Sequence, residues 1–363
     1  MMTITQPTLL LDRAKCMANI SRMHSKASQQ GVRLIPHFKT HQSKRVGEWF
    51  KEAGIKAITV SSLKMADYFA KAGWENITIA FPVNIRAIDE TSALAEKVNL
   101  TVFLNSLEAL HFLGRQLNST ITFYIEIDTG YGRSGINYQQ QNRIKEILHQ
   151  AKAYQNLEFT GFYTHPGHTY HVEGKAAVTS IYAETLDRLL PLKEAFVLEY
   201  PTLQISIGDT PGASLVDDLN NIDSIRPGNF VYYDLVMHRI GACQLTDIAI
   251  CLAAPIVEVH PAESRLVVHA GWVQLGKDSL PDEESGQHFG YAVLLTEDGW
   301  NTEPIGKVIS VSQEHGIIKL EPGYVAKFKV GDLIGILPVH ACATAQMMGE
   351  AYTLEGEFIE MMK

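Results

Sequence analysis

A lysine at the end of an apolar strand is the first group in the chain that could do chemistry. Lys39 follows the run 32–38, and His37 and His41 stand two residues to either side of it. An amine at the mouth of a strand, with bases beside it and the Phe38 ring to exclude water, is placed to be neutral and to attack a carbonyl. The pattern indicates a Schiff-base lysine, although a solvated lysine at a strand end is the commoner case.

Short apolar strands alternate with amphipathic helices over the first two thirds of the chain. The predicted strands are 34–37, 57–60, 77–83, 100–104, 121–128, 159–163, 203–208 and 225–233. The predicted helices are 44–52, 63–71, 92–98, 106–117, 140–154, 176–196 and 213–219. Eight such units over roughly 200 to 250 residues are typical of an α/β fold with a closed (β/α)8 TIM-like barrel. We predict this barrel at residues 13–240, with an open doubly wound sheet as the alternative.

The unusual polar residues of this region follow the predicted strands, where a barrel gathers its active site. They are Lys39 and His41 after the first strand, Asp128, Gly130, Gly132 and Arg133 after the fifth, His165, His168 and His171 after the sixth, Ser206, Gly208, Asp209 and Thr210 at the seventh, and Arg226, Gly228, Asn229 and Tyr232 in the eighth. Several independent loops would therefore meet at one rim. This convergence favours a catalytic Lys39 over a solvated one.

The chain is longer than one barrel, and its composition limits its partners. It has 363 residues, of which 46% are hydrophobic, so a second domain is expected. Short β-type runs at 248–259, 265–269, 303–311, 316–320, 332–338 and 351–359, without a convincing amphipathic helix, predict a C-terminal all-β domain at 241–363. The run 7–11 would add a strand to it from residues 1–12.

Charge and cysteine content favour a cytoplasmic enzyme. The net charge is −9 with no basic run, which argues against nucleic acid or an anionic membrane as a partner. We find no apolar stretch of the roughly 20 residues that span a bilayer, and the first residues do not resemble a signal peptide. The 4 cysteines are widely scattered, so no disulfide framework is expected.

Two glycine-containing turns suggest a phosphate-bearing cofactor. The segment 206–212 brings two hydroxyl residues and two glycines to the start of a predicted helix, and 226–229 offers a second turn. Free N–H groups at such turns bind an oxyanion, and glycine permits close approach. An ordinary helix start is the alternative for the first turn, and the carboxylate of Asp209 argues mildly against a phosphate there.

Five segments together resemble the D-serine dehydratase and D-threonine aldolase family. They are 36–41 (Pro-His-Phe-Lys-Thr-His), 128–135 (Asp-Thr-Gly-Tyr-Gly-Arg-Ser-Gly), 206–210 (Ser-Ile-Gly-Asp-Thr), 226–229 (Arg-Pro-Gly-Asn) and 314–316 (Glu-His-Gly). Members of this family are fold-type III pyridoxal-phosphate (PLP) enzymes, relatives of alanine racemase. The resemblance implies a racemase-like barrel, a C-terminal β domain, a homodimer with its active site near the interface, and Lys39 as the residue that holds PLP.

The resemblance also implies roles for other residues of the rim. His168 would act as an acid or base, with a three-histidine metal site or a plain polar loop as alternatives. Arg133 would contact the phenolate side of PLP and Arg226 its pyridine nitrogen, unless each is a rim ion pair. Tyr163 would line the ring, although packing is the commoner role. Six more residues would bind the cofactor at the two turns: Ser206, Gly208, Asp209, Thr210, Gly228 and Asn229.

A histidine and a cysteine near the C-terminus form a candidate metal site. His340 and Cys342 follow a predicted strand, and in an extended segment residues two apart point to the same face. An imidazole and a thiolate together favour Zn²⁺ over Mg²⁺. A buried cysteine beside an unrelated histidine is the alternative. The resemblance supports the metal, because dehydratase members have His and Cys here and aldolase members are expected to have His and Asp.

These observations predict a PLP- and metal-dependent lyase with a small amino-acid substrate. It would dehydrate a 3-hydroxy D-amino acid to a 2-oxo acid and ammonia, with D-serine, D-threonine and 3-hydroxy-D-aspartate all open as substrates. Retro-aldol cleavage to glycine and an aldehyde is the first alternative. An amino-acid racemase would leave His340 and Cys342 without a purpose, and a PLP carrier protein would not need the large β domain.

Overall fold

Residues 3–363 are described by a computed structural model, in which the chain forms two units. The barrel unit contains Arg22–Lys39 and Phe50–Gly228, and the β unit contains residues 3–21, Thr40–Trp49 and Asn229–Lys363. Each unit is formed by separate segments of the chain. The predicted domain boundary between residues 240 and 241 stays a prediction. Within residues 3–363, every helix is too short or too polar to cross a lipid bilayer.

Strands and helices alternate in the first two thirds of the chain, as predicted. The first elements are strand β1 (Thr8–Leu11) and helix α1 (Arg13–Gln29). The next strands are β2 (Arg33–Leu34), β3 (Ile58–Val60), β4 (Asn76–Pro82), β5 (Asn99–Phe103), β6 (Ile121–Asp128), β7 (Ile136–Asn137), β8 (Leu157–Thr164), β9 (Gln204–Ile207) and β10 (Ser224–Ile225). The next helices are α2 (Lys44–Glu52), α3 (Leu63–Ala70), α4 (Ile88–Ala95), α5 (Leu107–Gln116), α6 (Gln141–Ala151), α7 (Lys175–Phe196) and α8 (Thr210–Leu215).

Eight of these strands form one curled parallel sheet in the barrel unit. Their order is β2-β10-β9-β8-β6-β5-β4-β3, and β7 pairs only with β6. A parallel bridge between His37 and Thr59 joins the segment after β2 to β3, at the two ends of this order. The predicted α/β barrel architecture is therefore confirmed. Serine caps at Ser62 and Ser106 begin α3 and α5 by accepting hydrogen bonds from backbone N–H groups of the first turn.

Several predicted elements of the barrel unit have different bounds in the structure; the helix predicted at 213–219 is Thr210–Leu215, and the strand predicted at 34–37 is Arg33–Leu34. The eighth strand was predicted to reach Tyr233, but β10 ends at Ile225 and a 3-10 turn follows at Asn229–Val231. Pro227 has no N–H to donate and cannot continue a central strand. The helix predicted at 92–98 lies earlier, at Ile88–Ala95.

The β unit is built around antiparallel strands, which confirms the predicted all-β second domain. Its further strands are β11 (Ile250–His260), β12 (Arg265–His269), β13 (Leu280–Asp282), β14 (Gly286–His288), β15 (Gly290–Val293), β16 (Leu295–Thr296), β17 (Gly299–Trp300), β18 (Gly306–Val311), β19 (His315–Leu320), β20 (Leu333–Pro338), β21 (Glu350–Thr353) and β22 (Phe358–Glu360). The order β12-β19-β18-β15-β20-β11 closes through a β11–β12 pairing. Strand β1 pairs antiparallel with β11 and parallel with β21.

Helices of the β unit were missed by the prediction. They are α9 (Leu235–Ile240), α10 (Trp272–Leu275) and α11 (Ala341–Met348). Helix α11 has no amphipathic pattern to reveal it, but its alanines and methionines are strong helix formers. Gly349, with a φ of 67°, ends it in the left-handed conformation that favours glycine.

The close approach of strands β8 and β9 can be tested by substitution of Gly161. This glycine lies in β8 with a φ of 155°, and a Cβ there would overlap the backbone of Gln204 in β9. We expect Gly161→Ala to lower the free energy of unfolding by about 2–3 kcal/mol, because strand β9 must shift. Gly174→Ala is the matched control, since its φ is 83° but nothing lies within 4 Å of the new Cβ. That change should cost about 1 kcal/mol. Equal losses of the two variants in urea unfolding would contradict the close approach of the two strands.

Candidate active site

Lys39 leaves the barrel strand with its side chain exposed, directly after a deeply buried phenylalanine. Phe38 is fully buried, and its ring centroid lies 4.9 Å from the rings of Phe50 and Phe69 and 5.1 Å from that of Trp74. Phe38 therefore anchors the backbone, and the prediction that its ring shields the lysine amine is wrong. Residues 38–41 form a turn after the bridge at His37, and in this turn the Phe38 ring is buried while the Lys39 side chain is exposed.

Positive charges surround His37 at the end of the same strand. The pKa of His37 lies well below its usual value because desolvation disfavours the charged ring, and the nearby positive charges of Lys39, Arg226 and Arg133 lower it further. The imidazole is therefore neutral and lies in the positive field of these three cations. Such a field suits an anionic group and fits the phosphate ester of PLP.

Arg226 is a buried cation held by neutral groups. It is 3% exposed; its Nε donates to Ser206 Oγ at 2.7 Å, and its Nη1 donates to Thr59 Oγ1 at 2.8 Å. None of the carboxylates in residues 3–363 pairs with it, so it is not a rim ion pair. Burial lowers its pKa. A buried cation without a counter-charge is costly, and an acceptor supplied by the cofactor, such as the pyridine nitrogen, would compensate it. Ser206 is placed to hold Arg226.

The Tyr163 side chain packs directly against Gly208. Tyr163 is buried with its ring 4.4 Å from that of Phe103, and a Cβ at Gly208 would overlap its hydroxyl. Burial raises the pKa of Tyr163. His165 Nδ1 is hydrogen-bonded to the Gly208 carbonyl oxygen, and burial lowers the pKa of His165 to about 3. A neutral His165 therefore donates to this turn and fixes its shape.

Asp209 is the N-cap of α8. Its Oδ2 accepts hydrogen bonds from the Gly212 N–H at 2.6 Å and from Thr169 Oγ1 at 2.9 Å. Burial raises the pKa of Asp209 to about 6. One of the backbone N–H groups expected to bind a phosphate, that of Gly212, therefore donates to Asp209 instead. The ionised carboxylate of Asp209 has no proton to donate to a phosphate.

The neighbouring turn residues bond to one another. The Thr210 N–H donates to the Tyr170 hydroxyl at 3.1 Å, and the Gly228 N–H donates to Thr210 Oγ1 at 3.3 Å. The two predicted turns are thus connected within the barrel unit. The cofactor contacts of Gly208, Asp209, Thr210 and Gly228 stay predictions.

The three histidines of the segment 165–171 surround a tyrosine. The Tyr131 ring lies 5.6 Å from that of His165, 6.3 Å from that of His168 and 6.4 Å from that of His171, and the exposed Arg133 guanidinium lies 5.6 Å from its centre. No set of three metal-binding side chains converges anywhere in residues 3–363, so this loop is not a three-histidine metal site. Nδ1 of His168 is buried without a hydrogen-bond partner among the described residues, and burial lowers the pKa of this ring.

The sequence prediction missed Glu126, a buried carboxyl at the end of β6. It accepts hydrogen bonds from Ser134 Oγ at 2.9 Å and from Asn105 Nδ2 at 3.3 Å. Burial raises its pKa, which the charge of Arg133 partly offsets. Glu126 and Arg133 line one small cavity with Asp128, Tyr131 and His165. A charged residue inside the apolar strand 121–127 was the signal that could have revealed it.

In the β unit, His340 and Cys342 meet at the start of a helix. His340 is the N-cap of α11, and Cys342 is the second residue of that helix, so the predicted extended segment is wrong. The two side chains are nevertheless close enough to hydrogen-bond.

Polar groups of the β unit hold this pair in place. Cys342 Sγ lies 3.2 Å from Thr40 Oγ1 and 3.8 Å from Asn229 Nδ2. Asn229 Nδ2 donates to Asp234 Oδ2 at 2.6 Å, and the same oxygen accepts from the Ala341 N–H at 2.9 Å. The structure thus places Asn229, which was predicted to bind the cofactor, beside Cys342. Thr40 and the fully buried Asp234 were missed, because nothing in their spacing relates them to residues 340–342.

The donors of this pair fit a divalent metal with open coordination positions. His340 Nδ1 lies 2.9 Å from Asp278 Oδ2, and hydrogen bonds to Asp278 and Cys342 outweigh the effect of burial and raise the pKa of His340 to about 11. The raised pKa means that both nitrogens of the His340 ring carry a proton, and a bound metal ion would replace one of these protons. An imidazole nitrogen and a thiolate suit Zn²⁺, and two protein ligands leave room for water or a substrate hydroxyl.

Asp209 gives the barrel unit a defined pH dependence. Its folded pKa, about 6, is above the ordinary value of 3.8, so the carboxyl loses its proton at higher pH in the folded state than in the unfolded state. Stability should therefore fall as the pH rises from about 4 to 6, by on the order of 2 kcal/mol. Asp209→Asn keeps a capping oxygen and removes the charge. The melting temperature of Asp209→Asn minus that of the parent should therefore increase as the pH is raised from 4.5 to 7.5.

The control for this prediction is Asp217→Asn. Lys175 lowers the pKa of the exposed Asp217 below its ordinary value of 3.8, so this carboxyl is ionised in both the folded and the unfolded state above pH 4.5. Asp217→Asn should therefore differ from the parent by a constant amount between pH 4.5 and 7.5. A constant difference between Asp209→Asn and the parent at all pH values would contradict the raised pKa.

Comparisons with known proteins agree with this geometry. Residues 11–236 match the family model described as alanine racemase, N-terminal domain, and residues 249–354 match the putative serine dehydratase domain. The D-threo-3-hydroxyaspartate dehydratase of Delftia sp. (strain HT23) is 29% identical, covering 95% of this chain and 92% of its own. The D-serine dehydratase of Dictyostelium discoideum is 26% identical, covering 98% and 94%. Further relatives, at 24% and 22% identity, are named 3-hydroxy-D-aspartate aldolase and D-threonine aldolase.

Solved structures of the Delftia dehydratase share the fold. The enzyme itself gives a TM-score of 0.89 at 27% identity, and the metal-free form of a cysteine-to-alanine variant gives 0.90 at 26%, each covering 99% of this chain and 98% of the solved one. A histidine-to-alanine variant is also similar. The chain therefore belongs to the alanine racemase N-terminal domain family, among the fold-type III PLP enzymes that include D-serine and D-threo-3-hydroxyaspartate dehydratases.

Proposed function

We propose that this protein is a PLP- and metal-dependent lyase that dehydrates a 3-hydroxy D-amino acid and releases a 2-oxo acid and ammonia. The observation that carries the proposal is the His340–Cys342 pair. In the solved variants of a D-threo-3-hydroxyaspartate dehydratase, the replaced histidine and cysteine are two positions apart, and the cysteine variant was solved without metal. The same spacing separates His340 from Cys342, and the second residue is a cysteine here as well.

Lys39 would hold PLP through its Nζ and later act as a base. When bound, PLP withdraws electrons from Cα of the amino acid and makes its Cα proton acidic. The Lys39 amine, when not bonded to PLP, would remove that proton. The exposed position of Lys39 at the strand end supports both tasks, because the amine can reach an incoming ligand.

The cations of the barrel unit would orient the cofactor. The field of Lys39, Arg133 and Arg226 favours the phosphate, and Arg133 is also proposed to contact the phenolate side. Arg226 at the pyridine nitrogen would keep that nitrogen unprotonated, because a cation disfavours a second positive charge beside it. Tyr163 would pack against the ring.

His168 is proposed as the second acid or base of the site. Burial lowers its pKa, so the ring is neutral near pH 7 and can accept a proton. Its buried Nδ1 lacks a partner among residues 3–363, which leaves that nitrogen available to a substrate group. A dehydration needs a protonated group at the departing hydroxyl, so His168 would give up in that step the proton that it had first accepted.

His340 and Cys342 would bind the metal, with Zn²⁺ preferred for their nitrogen and sulfur donors. The ion would act as a Lewis acid on the β-hydroxyl. Within the β unit, the hydroxyl of Thr40 lies 3.2 Å from Cys342 Sγ, beside the proposed ion.

Retro-aldol cleavage is the second candidate, since two relatives are named as aldolases. It would release glycine and an aldehyde in place of a 2-oxo acid. The cysteine at position 342, where aldolases are expected to have an aspartate, favours dehydration. The homodimer implied by the resemblance stays a prediction, which sedimentation of the holoenzyme would test.

The reaction is tested with D- and L-isomers of serine, threonine and 3-hydroxyaspartate. We expect at least one D-isomer to yield equal amounts of 2-oxo acid and ammonia, because the proposed elimination releases both. Chelation should lower this rate more than tenfold, and added ZnCl2 should restore it, since the hydroxyl is a poor leaving group without a Lewis acid. Glycine and an aldehyde as the only products would establish the aldolase instead.

The cofactor linkage is tested by reduction with borohydride and peptide mapping. The holoenzyme should carry a pyridoxyl group on Lys39, because reduction fixes a Schiff base as a stable amine. Lys39→Ala should carry none. Lys71→Ala, which removes an exposed lysine paired with Asp67, should be labelled like the parent. A label on any other lysine of the parent would refute the role of Lys39.

A further inference from the structure

We propose that Asp278 is the positioning residue of the metal site, which fixes the His340 ring so that its Nε2 faces the ion. This inference rests on the proposed metal-dependent function. Its basis is the 2.9 Å contact between Asp278 Oδ2 and His340 Nδ1, together with the way both residues are anchored to helix α11.

The His340 backbone is fixed, but packing leaves its ring accessible. The Ala341 N–H donates to the buried Asp234 at 2.9 Å, so the residue between the two ligands cannot drift. The His340 side chain itself is 42% exposed. Its rotation therefore depends on hydrogen bonds, and Asp278 provides one from outside the 340–342 segment.

The loop that carries Asp278 is fastened to the same helix. Thr344 Oγ1 in α11 donates to the Leu275 carbonyl oxygen at 3.2 Å, and Thr344 is fully buried. Gly276 has a φ of 84°, and a Cβ there would lie 3.4 Å from Ala343 Cβ. The turn at Gly276 thus brings the chain close to α11 just before Asp278. The carboxylate approaches His340 from a fixed point of the fold.

The chemistry of imidazole assigns the role. A carboxylate that accepts the Nδ1 proton selects one tautomer, in which Nε2 carries the lone pair that binds a metal. Asp278 Oδ2 is engaged with the ring, and residues 3–363 contain no converging set of three metal-binding side chains. Asp278 therefore acts through His340 and is not a third ligand. Partners of this kind typically change metal affinity by about 10–100-fold.

The test is a zinc titration of the full-length holoenzyme after chelator treatment, in competition with a chromophoric chelator. Asp278→Ala should bind zinc about 10–100-fold more weakly than the parent. Asp278→Asn should be intermediate, because its amide oxygen can still accept the Nδ1 proton but carries no charge. Glu258→Gln is the matched control, since it alters another histidine–carboxylate pair, with His260 at 3.3 Å, and should bind zinc like the parent.

A second measurement separates positioning from a merely structural role. In Asp278→Ala the zinc concentration for half-maximal turnover should rise with the loss of affinity, while kcat at saturating zinc returns to within threefold of the parent. If Asp278→Ala fails to fold, Asp278→Asn carries the same comparison.

His340→Ala distinguishes the two ways in which the inference can fail. If His340→Ala loses zinc while both Asp278 variants bind it within twofold of the parent, the positioning role is wrong and the proposed function stands. If His340→Ala also binds zinc like the parent, the metal assignment in the proposed function is wrong and this inference falls with it.

Discussion

The burial of Phe38 is the constraint on which the barrel site depends. Its ring is enclosed by Phe50, Phe69 and Trp74, and its N–H donates to Thr59 O at 2.8 Å. Burial of such a side chain contributes about 1.5–3 kcal/mol, so the register of this segment is strongly preferred. A rearrangement of this turn that exposed Phe38 would lose the apolar burial, and one that buried Lys39 would desolvate an amine. The position of the reactive group is thus set by its apolar neighbour.

The second constraint on the barrel unit is electrostatic. Arg226 is buried against neutral Ser206 and Thr59, and Arg133, Lys39 and two low-pKa histidines share the strand ends. Neutral histidines limit the repulsion, but the arginines cannot lose their charge. The site is therefore prepared for an anionic ligand with an acceptor nitrogen. The same groups, which repel one another, are the ones proposed to bind PLP.

In the β unit a single buried carboxyl organises the segment that is proposed to bind the metal. Asp234 caps α9 through the Met237 N–H at 3.0 Å and also accepts from Asn229 and Ala341. Burial raises its pKa, and its three hydrogen bonds and the charge of His340 counteract that effect. Three separate parts of the chain are held by this side chain. The chemistry of His340 and Cys342 thus depends on a residue more than a hundred positions earlier in the sequence.

The sequence by itself determined the architecture and the carriers of the chemistry. The period of the apolar residues located the eight barrel strands, and the lysine, arginine and His–Cys segments indicated the cofactor and the metal, because local pattern and turn chemistry need only neighbouring residues. Tertiary structure decided how the polar groups are used. In the folded chain Asp209 caps a helix, Ser206 accepts a hydrogen bond from Arg226, and Asn229 lies beside Cys342. The carboxyl groups of Glu126, Asp234 and Asp278 are hydrogen-bonded to Ser134, Ala341 and His340. Most of these contacts join residues far apart in the chain, and no spacing in the sequence encodes which donor a buried acceptor will meet after folding.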